Sequence, residues 1–249
     1  MRFGKKIRRK ILDRLGYMVI NRNFPGVFIE DGIVTYHNHS FTEDPRFIEV
    51  FDRGNKPHDK AFMIRWRLHI ALWTAAQAIN RPGAFVECGT NTGFMMTAIM
   101  TWLDWNKTGR TAYLFDTFAG LDPEFTTEAE KAKGRLERYS DQSEASVRRN
   151  FEEFSNVEFV VGTIPKTLED VKIDEVAFLH IDMNAVIPEI AAFRHFWPRM
   201  SPGGFVLLDD YAFRGYEAQH KAFTELGEEL GFMVMTLPTG QGLVQKPIT

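Results

Sequence analysis

The chain has 249 residues, enough for one large α/β domain, and its 44% hydrophobic and 25% charged residues are typical of a folded globular protein. Its formal net charge of −3 argues against a protein that coats nucleic acid, because such proteins need a broad basic surface. One cysteine, Cys88, excludes a disulfide within the chain and favours a reducing, cytoplasmic location.

Residues 1–80 are predicted to form a helical or irregular cap or lid. The basic start, residues 1–10, lacks the apolar core of a signal peptide, and no stretch is apolar enough to span a bilayer. The apolar residues Ile7, Ile11, Leu12 and Leu15 recur at helical spacing, which predicts a solvated terminal helix and leaves contact with an anionic membrane surface open. Short strand-like runs follow at residues 27–29 and 33–35, and a helix is predicted over residues 58–80.

Residues 81–249 alternate between apolar strands and helices. The predicted parallel strands are residues 84–87, 111–116, 157–162, 175–182 and 204–210. The predicted helices are residues 94–104, 143–154, 188–197 and 216–230, and residues 232–237 and 242–246 form a terminal antiparallel pair. This order predicts a doubly wound, mostly parallel, seven-stranded Rossmann-like α/β sheet with an antiparallel edge.

Acidic residues stand at the ends of four predicted strands: Glu87, Asp116, Asp182 and the pair Asp209-Asp210. Ligands of such sheets bind outside the carboxyl ends of the strands. Helix capping explains one or two acids of this kind, but it does not explain all of them. The sequence therefore predicts a common site at this edge.

The loop after the first of these strands has the spacing Glu-x-Gly-x-x-x-Gly, which differs from the Gly-x-Gly-x-x-Gly pattern of dinucleotide sites. Its leading acid suits a cationic ligand such as S-adenosylmethionine, and the next acid, Asp116, can accept hydrogen bonds from both ribose hydroxyls. Cys88 is expected to be a small packing residue rather than a catalytic thiol. The loop residues assigned to the cofactor are Glu87, Cys88, Gly89, Thr90, Asn91 and Gly93.

Six segments, in this order, resemble the macrocin O-methyltransferase family, whose members methylate sugar hydroxyls of macrolide antibiotics. The resemblance runs from about residue 60 to the C-terminus. The segments are FVECG (85–89), FDTFAGL (115–121), VRRNF (147–151), VGTIPKTL (161–168), LHID (179–182) and PGGFVLLDDY (202–211).

The resemblance implies a class I methyltransferase domain over residues 81–249. The implied activity is methyl transfer from S-adenosylmethionine to a hydroxyl of a sugar, another small-molecule natural product or a glycan precursor. Residues implied around the cofactor are Glu87, Gly89, Asp116, Thr117, Phe118, Gly162 and Thr163, and residues implied to hold magnesium are Asp182, Asp209 and Asp210. Ser143 precedes a helix, where it either caps that helix or contacts the adenine.

One segment departs from the family. Where the family usually has Gly-Asp-Leu-Tyr-Glu-Ser, this chain has MNAVIPE over residues 183–189, so that Asn184 replaces an acid and the tyrosine is absent. The acceptor side therefore follows the family less closely than the cofactor side does. A macrolide acceptor does not follow from the resemblance.

Asp182 is the predicted general base as well as a metal ligand and cofactor neighbour. A sugar hydroxyl is a poor nucleophile until its proton leaves, and a divalent ion can hold the hydroxyl and lower its pKa. Oxygen ligands without histidine or cysteine favour magnesium over zinc. Asp209 and Asp210 point to different sides of an extended backbone, so both need not bind the ion directly. One of them is expected either to support a metal ligand by hydrogen bonding or simply to stabilise a turn after the strand.

Two other functions are weighed beside the methyltransferase. A nicotinamide-dependent oxidoreductase shares the sheet topology but requires the dinucleotide fingerprint, which this chain lacks. A non-catalytic module that binds a glycan or a partner draws support from the altered residues 183–189. His180 is expected to be a packed core histidine, Tyr211 is a candidate acceptor contact, and a homo-oligomer stays open.

Overall fold

The computed structural model describes residues 12, 14–17, 20, 26–136 and 142–248. Packing divides the chain into two compact units, Met1–His39 and Ser40–Thr249, whereas the predicted cap ends near residue 80. In the first unit, strands β1 (Phe28–Glu30) and β2 (Ile33–Thr35) pair as an antiparallel hairpin, at the two strand-like runs of the sequence. The part of the predicted basic helix that includes Ile7 and Ile11 lies outside the described residues, while Leu12 has helical conformation.

The second unit opens with two helices, α1 (Pro45–Asn55) and α2 (Arg65–Ala78). Helix α1 is absent from the sequence prediction. The Asp44 side chain caps it by accepting hydrogen bonds from the amides of Arg46 and Phe47, and Pro45 occupies the first turn. Helix α2 is shorter than the predicted 58–80 because residues 56–64 form a loop.

A seven-stranded sheet forms the centre of this unit and confirms the predicted fold. Its strands are β3 (Ala84–Cys88), β4 (Ala112–Asp116), β5 (Val157–Val161), β6 (Val176–Ile181), β7 (Met200–Leu208), β8 (Met235–Thr236) and β9 (Gly242–Gln245). Their spatial order is β5-β4-β3-β6-β7-β9-β8, in which the pairs from β5 to β7 are parallel and β9 pairs antiparallel with both β7 and β8.

Five more helices follow the strands in chain order. They are α3 (Phe94–Trp102), α4 (Glu128–Lys131), α5 (Glu144–Asn150), α6 (Val186–Phe196) and α7 (Glu217–Leu230). Within the described ranges, none of the helices combines the length and apolarity that crossing a bilayer requires.

Two apolar clusters cover the two faces of the sheet. Alternation along β3 puts Phe85 into the cluster shared with α1, α2 and α3, and puts Val86 and Cys88 into the cluster shared with α6 and α7. Glu87 therefore shares a face with Phe85, and its register partner on β6 is His180. Apolar packing on both faces fixes the strand ends at which the acids stand.

The loops that leave β3 and β6 touch each other at Gly89. The Gly89 backbone has φ +92°, and a Cβ atom built there would lie 1.9 Å from the carbonyl oxygen of Asp182. The Asp182 amide donates to the Cys88 carbonyl oxygen over 2.8 Å. Only glycine permits this approach, which places Asp182 beside the loop after β3.

We expect Gly89→Ala to lower the free energy of unfolding by about 4 kcal/mol, since the left-handed backbone and the clash both add cost. Gly109→Ala is the matched control, because Gly109 has φ +66° and nothing lies within 4 Å of its built Cβ. It should cost only about 1 kcal/mol. Urea denaturation compares the two, and equal losses would contradict a tight contact at Gly89.

Candidate active site

A cleft of about 480 Å³ opens at the carboxyl ends of the central strands. It collects most of the residues that the sequence assigned to a common site. Those that line it are Glu87, Gly89, Thr90, Asn91, Asp116, Thr117, Phe118, Gly162, Thr163, Asp182, Asp209 and Asp210. The sheet edge therefore brings the strand-end acids together as the strand pattern indicates.

Three residues assigned to the cofactor do not line the cleft. The Cys88 side chain is buried in the apolar cluster on the opposite face, because it alternates with Glu87 along β3. Gly93 occupies the N-cap position of α3 with φ +85° and lies against Phe151. The Ser143 side chain caps α5 by accepting from the Ser146 amide, and the preceding Gln142 lines the cleft instead.

Asp116 is held rigidly by two backbone amides. Its Oδ2 accepts from the Asn91 amide and its Oδ1 from the Phe118 amide, each over 2.7 Å. Burial raises the pKa of Asp116, while these hydrogen bonds oppose that rise. Each carboxylate oxygen has a second lone pair, so both oxygens can still accept a hydroxyl group.

Glu87 and His180 form a buried pair beneath the cleft. His180 Nδ1 lies 3.0 Å from Glu87 Oε1. Among the described residues His180 Nε2 has no hydrogen-bond partner, and Glu87 Oε2 has none beyond a contact of Glu87 with Thr90. Burial raises the pKa of Glu87, and the His180 contact opposes the rise. Burial lowers the pKa of His180, but the neighbouring carboxylates reverse the shift, so that its pKa is raised overall.

His180 is thus buried as expected, but it also lines the cleft and pairs with an acid that the sequence assigned to the cofactor loop. The pairing depends on the register between β3 and β6, because Glu87 and His180 are direct partners there. The expectation of a packed core histidine is therefore incomplete.

Three carboxylates form a cluster on one side of the cleft. One oxygen from each of Asp182, Asp209 and Asp210 lies within 4.8 Å of the others. Burial and the charges of Asp209 and Asp210 raise the pKa of Asp182 well above its usual range. Burial and the charges of Asp209 and Glu189 do the same for Asp210, whose Oδ2 is buried without a hydrogen-bond partner. These hard, crowded oxygens have the chemistry of a magnesium site.

Asp209 differs from its neighbours because both of its oxygens are engaged. Arg67 Nη1 of α2 donates to Oδ2 over 2.7 Å, and Gln241 Nε2 donates to Oδ1 over 3.0 Å. Arg67 and Asp209 are 11% and 7% exposed in their side chains, so the ion pair is shielded from water. The sequence analysis does not identify Arg67, which comes from a helix that precedes the sheet.

Asn184, the residue that departs from the family, takes part in an ordered network. Its Nδ2 donates to Asp182 Oδ1 over 3.2 Å, and the Tyr216 hydroxyl donates to its Oδ1. The Asn184 backbone has φ +59°, and its carbonyl accepts from Arg135 Nη1 over 2.7 Å. The substitution therefore replaces an acid by an amide that bridges Asp182 and Tyr216.

The buried side chain of Arg135 connects several segments on this side of the cleft. Arg135 Nη2 donates to the Gly215 carbonyl over 2.9 Å, Nη1 pairs with Glu130 over 3.4 Å, and the guanidinium lies 3.9 Å from the centre of the Tyr216 ring. Glu130 in turn accepts from the Val186 amide over 2.9 Å. Three segments that are distant in sequence are thereby fixed against one another.

The remaining cleft wall is mainly apolar, and sequence reasoning missed it. Its members come from the loop before α2, the segment after β4 and the loop before α7: Phe62, Ile64, Phe125, Phe213 and Arg214. Tyr211, a candidate acceptor contact, is instead buried, and its hydroxyl lies 3.1 Å from Thr224 Oγ1. The tyrosine that lines the cleft from this loop is Tyr216.

A comparison with models of protein families identifies the family to which this chain belongs. A family model described as macrocin-O-methyltransferase (TylF) matches residues 62–229, more than half of the chain. The chain belongs to this family. The match confirms the resemblance of the six motifs.

Two curated relatives and one solved structure extend this finding. Mycinamicin III 3''-O-methyltransferase of Micromonospora griseorubida is 30% identical over 113 residues, which cover 41% of this chain and 44% of that protein. Demethyldecarbamoylnovobiocin O-methyltransferase of Streptomyces niveus is 29% identical over 143 residues, 53% of this chain and 54% of that protein. These matches span about half the length of the relatives.

The structure of the O-methyltransferase NovP superposes with a TM-score of 0.66 and 25% sequence identity. The superposition covers 80% of this chain and 88% of NovP. It confirms the Rossmann-like methyltransferase fold.

The adjacent aspartates should respond in opposite ways to neutralisation in the presence of a chelator. Asp210→Asn should raise the free energy of unfolding by about 1 kcal/mol, or a few degrees in Tm, since it removes a buried charge next to like charges. Asp209→Asn should cost about 3 kcal/mol, because it leaves Arg67 without its buried partner. Thermal and urea unfolding measure both, and losses of equal size would contradict the distinction.

Proposed function

We propose that the chain is an S-adenosylmethionine-dependent O-methyltransferase that acts on a hydroxyl of a sugar or another natural product, with magnesium at the Asp182, Asp209 and Asp210 cluster. The observation that carries the proposal is the meeting of Asp116 and this cluster in one cleft of a chain that belongs to the macrocin-O-methyltransferase family. Family membership favours this function over a nicotinamide-dependent oxidoreductase or a non-catalytic module.

The cofactor wall has the polar groups that S-adenosylmethionine needs. Glu87 Oε2 and Thr90 Oγ1 are buried in residues that line the cleft, and beyond their contact with each other they have no hydrogen-bond partner among the described residues, so a polar ligand can satisfy them. Asp116 holds the ribose hydroxyls with its two oriented oxygens, and Glu87 places negative charge on the side that receives the cationic group. Bound S-adenosylmethionine supplies the electrophilic methyl group.

Asp182 is the proposed general base. Its Oδ1 accepts from Asn184, which leaves Oδ2 to take the proton of the acceptor hydroxyl. Without metal, burial and the charges of the neighbouring aspartates raise the pKa of Asp182. Magnesium held by the three carboxylates would oppose that rise and favour the ionised form that accepts a proton. Magnesium, when bound, supplies a Lewis acid that lowers the pKa of that hydroxyl.

The acceptor wall supports a small organic molecule. Phe62, Phe125, Phe213 and Tyr216 line the cleft, and aromatic side chains suit the apolar parts of a sugar or a ring system. The two curated relatives are named as O-methyltransferases of mycinamicin III and of demethyldecarbamoylnovobiocin, which supports an oxygen acceptor on a natural product. A cytoplasmic location belongs to the same proposal.

Asp116→Asn should weaken binding of S-adenosylhomocysteine roughly 30-fold, about 2 kcal/mol. An amide nitrogen would replace one of the two oxygens that accept the Asn91 and Phe118 amides and the proposed ribose hydroxyls. Calorimetric titration measures the affinity. Asp210→Asn is the control, since it removes a cleft charge away from Asp116, and its affinity should stay within about threefold of wild type. Equal weakening of both variants would count against the ribose role.

The proposed activity is tested by a screen of hydroxylated acceptors, including glycosides, nucleotide sugars and phenols, for release of S-adenosylhomocysteine with and without magnesium. Asp182→Asn should lower turnover of the best acceptor by at least about 100-fold while it leaves binding of S-adenosylhomocysteine intact. Near-normal turnover of that variant with saturating magnesium would remove Asp182 from the mechanism.

A further inference from the structure

Arg67 contacts Asp209, a carboxylate that a divalent cation in this cleft would also bind. Arg67 Nη1 lies 2.7 Å from Asp209 Oδ2, and the other oxygen of Asp209 is occupied by Gln241. Asp209 is at the same time one of the three carboxylates whose oxygens lie within 4.8 Å of each other. A cation held by all three carboxylates would therefore bind a carboxylate whose two oxygens already contact Arg67 and Gln241, within a few ångströms of the guanidinium charge.

The other two members of the cluster are more open to a cation. Asp210 Oδ2 is buried without a partner, and Asp182 Oδ1 accepts only the neutral amide of Asn184 at 3.2 Å. Asp209 is thus the member whose charge is balanced by the protein itself. Two like charges a few ångströms apart in a shielded site repel strongly, so Arg67 opposes a second cation there.

Arg67 also packs against an aromatic ring. Its guanidinium carbon lies 4.5 Å from the centre of the Phe213 ring, and a guanidinium stacks well on an aromatic face. The contact with Asp209 involves one nitrogen rather than a bidentate fork. The contact with the Phe213 ring stays in place when the hydrogen bond to Asp209 is lost.

We propose that Arg67 is a displaceable counter-ion of the acidic cluster: a divalent cation bound by Asp182, Asp209 and Asp210 displaces its guanidinium from Asp209. The inference rests on the magnesium site of the proposed function. In the absence of metal, Arg67 balances part of the buried negative charge. Its positive charge also lowers the affinity of the site for a metal ion. It is a positioning residue that sets the concentration of divalent cation at which the site becomes occupied.

The test is direct binding of Mn²⁺, followed through the electron paramagnetic resonance signal of the free ion, to the wild-type protein and to Arg67 variants. Arg67→Gln keeps a hydrogen-bond donor for Asp209 but removes the charge, and should bind Mn²⁺ about 10-fold more tightly. Arg67→Lys keeps the charge and should stay within about threefold of wild type. Added Mn²⁺ should also raise the Tm of Arg67→Gln more than that of wild type.

Arg214→Gln is the matched control, because Arg214 is an exposed cation that lines the same cleft. Its Mn²⁺ affinity should stay within about twofold of wild type, since water screens its charge. Unchanged or weaker binding by Arg67→Gln overturns the inference, and weaker binding would show that Arg67 orients Asp209 as a ligand. An equal gain in Arg214→Gln also overturns it.

A separate measurement distinguishes failure of this inference from failure of the proposed function. If neither wild type nor Arg67→Gln binds Mn²⁺ at millimolar concentration, the inference and the magnesium part of the proposed function both fail. Binding of S-adenosylhomocysteine by the same preparations tests the cofactor part independently. If Mn²⁺ binds equally to both proteins, only the role of Arg67 is lost.

Discussion

Burial of several carboxylates at one edge of the sheet is the constraint on which the site depends. Removing an ionised acid from water is costly, and each acid of the cleft meets this cost in a different way. Glu87 contacts His180, and Asp116 accepts two backbone amides. Asp209 contacts Arg67, whereas Asp210 keeps an oxygen without a partner. The uneven compensation separates Asp116 and Asp209, whose two oxygens both accept hydrogen bonds, from Glu87 and Asp210, each of which keeps a buried oxygen that a ligand can contact.

Sequence periodicity was sufficient for the sheet and for the acids at its edge. Apolar runs separated by helices predict parallel strands, and parallel strands place their final residues together, so the common site of Glu87, Asp116 and Asp182 follows. Helix α1 was missed, although the pair Asp44-Pro45 followed by an apolar face is a recognisable helix start. The remaining differences lie mostly at the ends of elements.

Contacts set by tertiary structure could not be predicted in this way. Arg67 reaches Asp209 from a helix that precedes the sheet, and no local pattern signals a partner 142 positions away. The pair of Glu87 and His180 depends on the register between β3 and β6, which hydrophobic pattern alone does not specify. Asn184 was recognised as a departure from the family, but its hydrogen bonds to Asp182 and Tyr216 required the three-dimensional structure.

The anchoring of three chain segments on Arg135 has a consequence for divergence and for engineering. One guanidinium contacts the Asn184 carbonyl in one loop and the Gly215 carbonyl and the Tyr216 ring in another, so a change in either loop alters the support of the other. Such positions are energetically coupled, and their substitutions do not add independently. Acceptor loops transplanted from a relative would have to be exchanged as a set, together with the residue that occupies position 135.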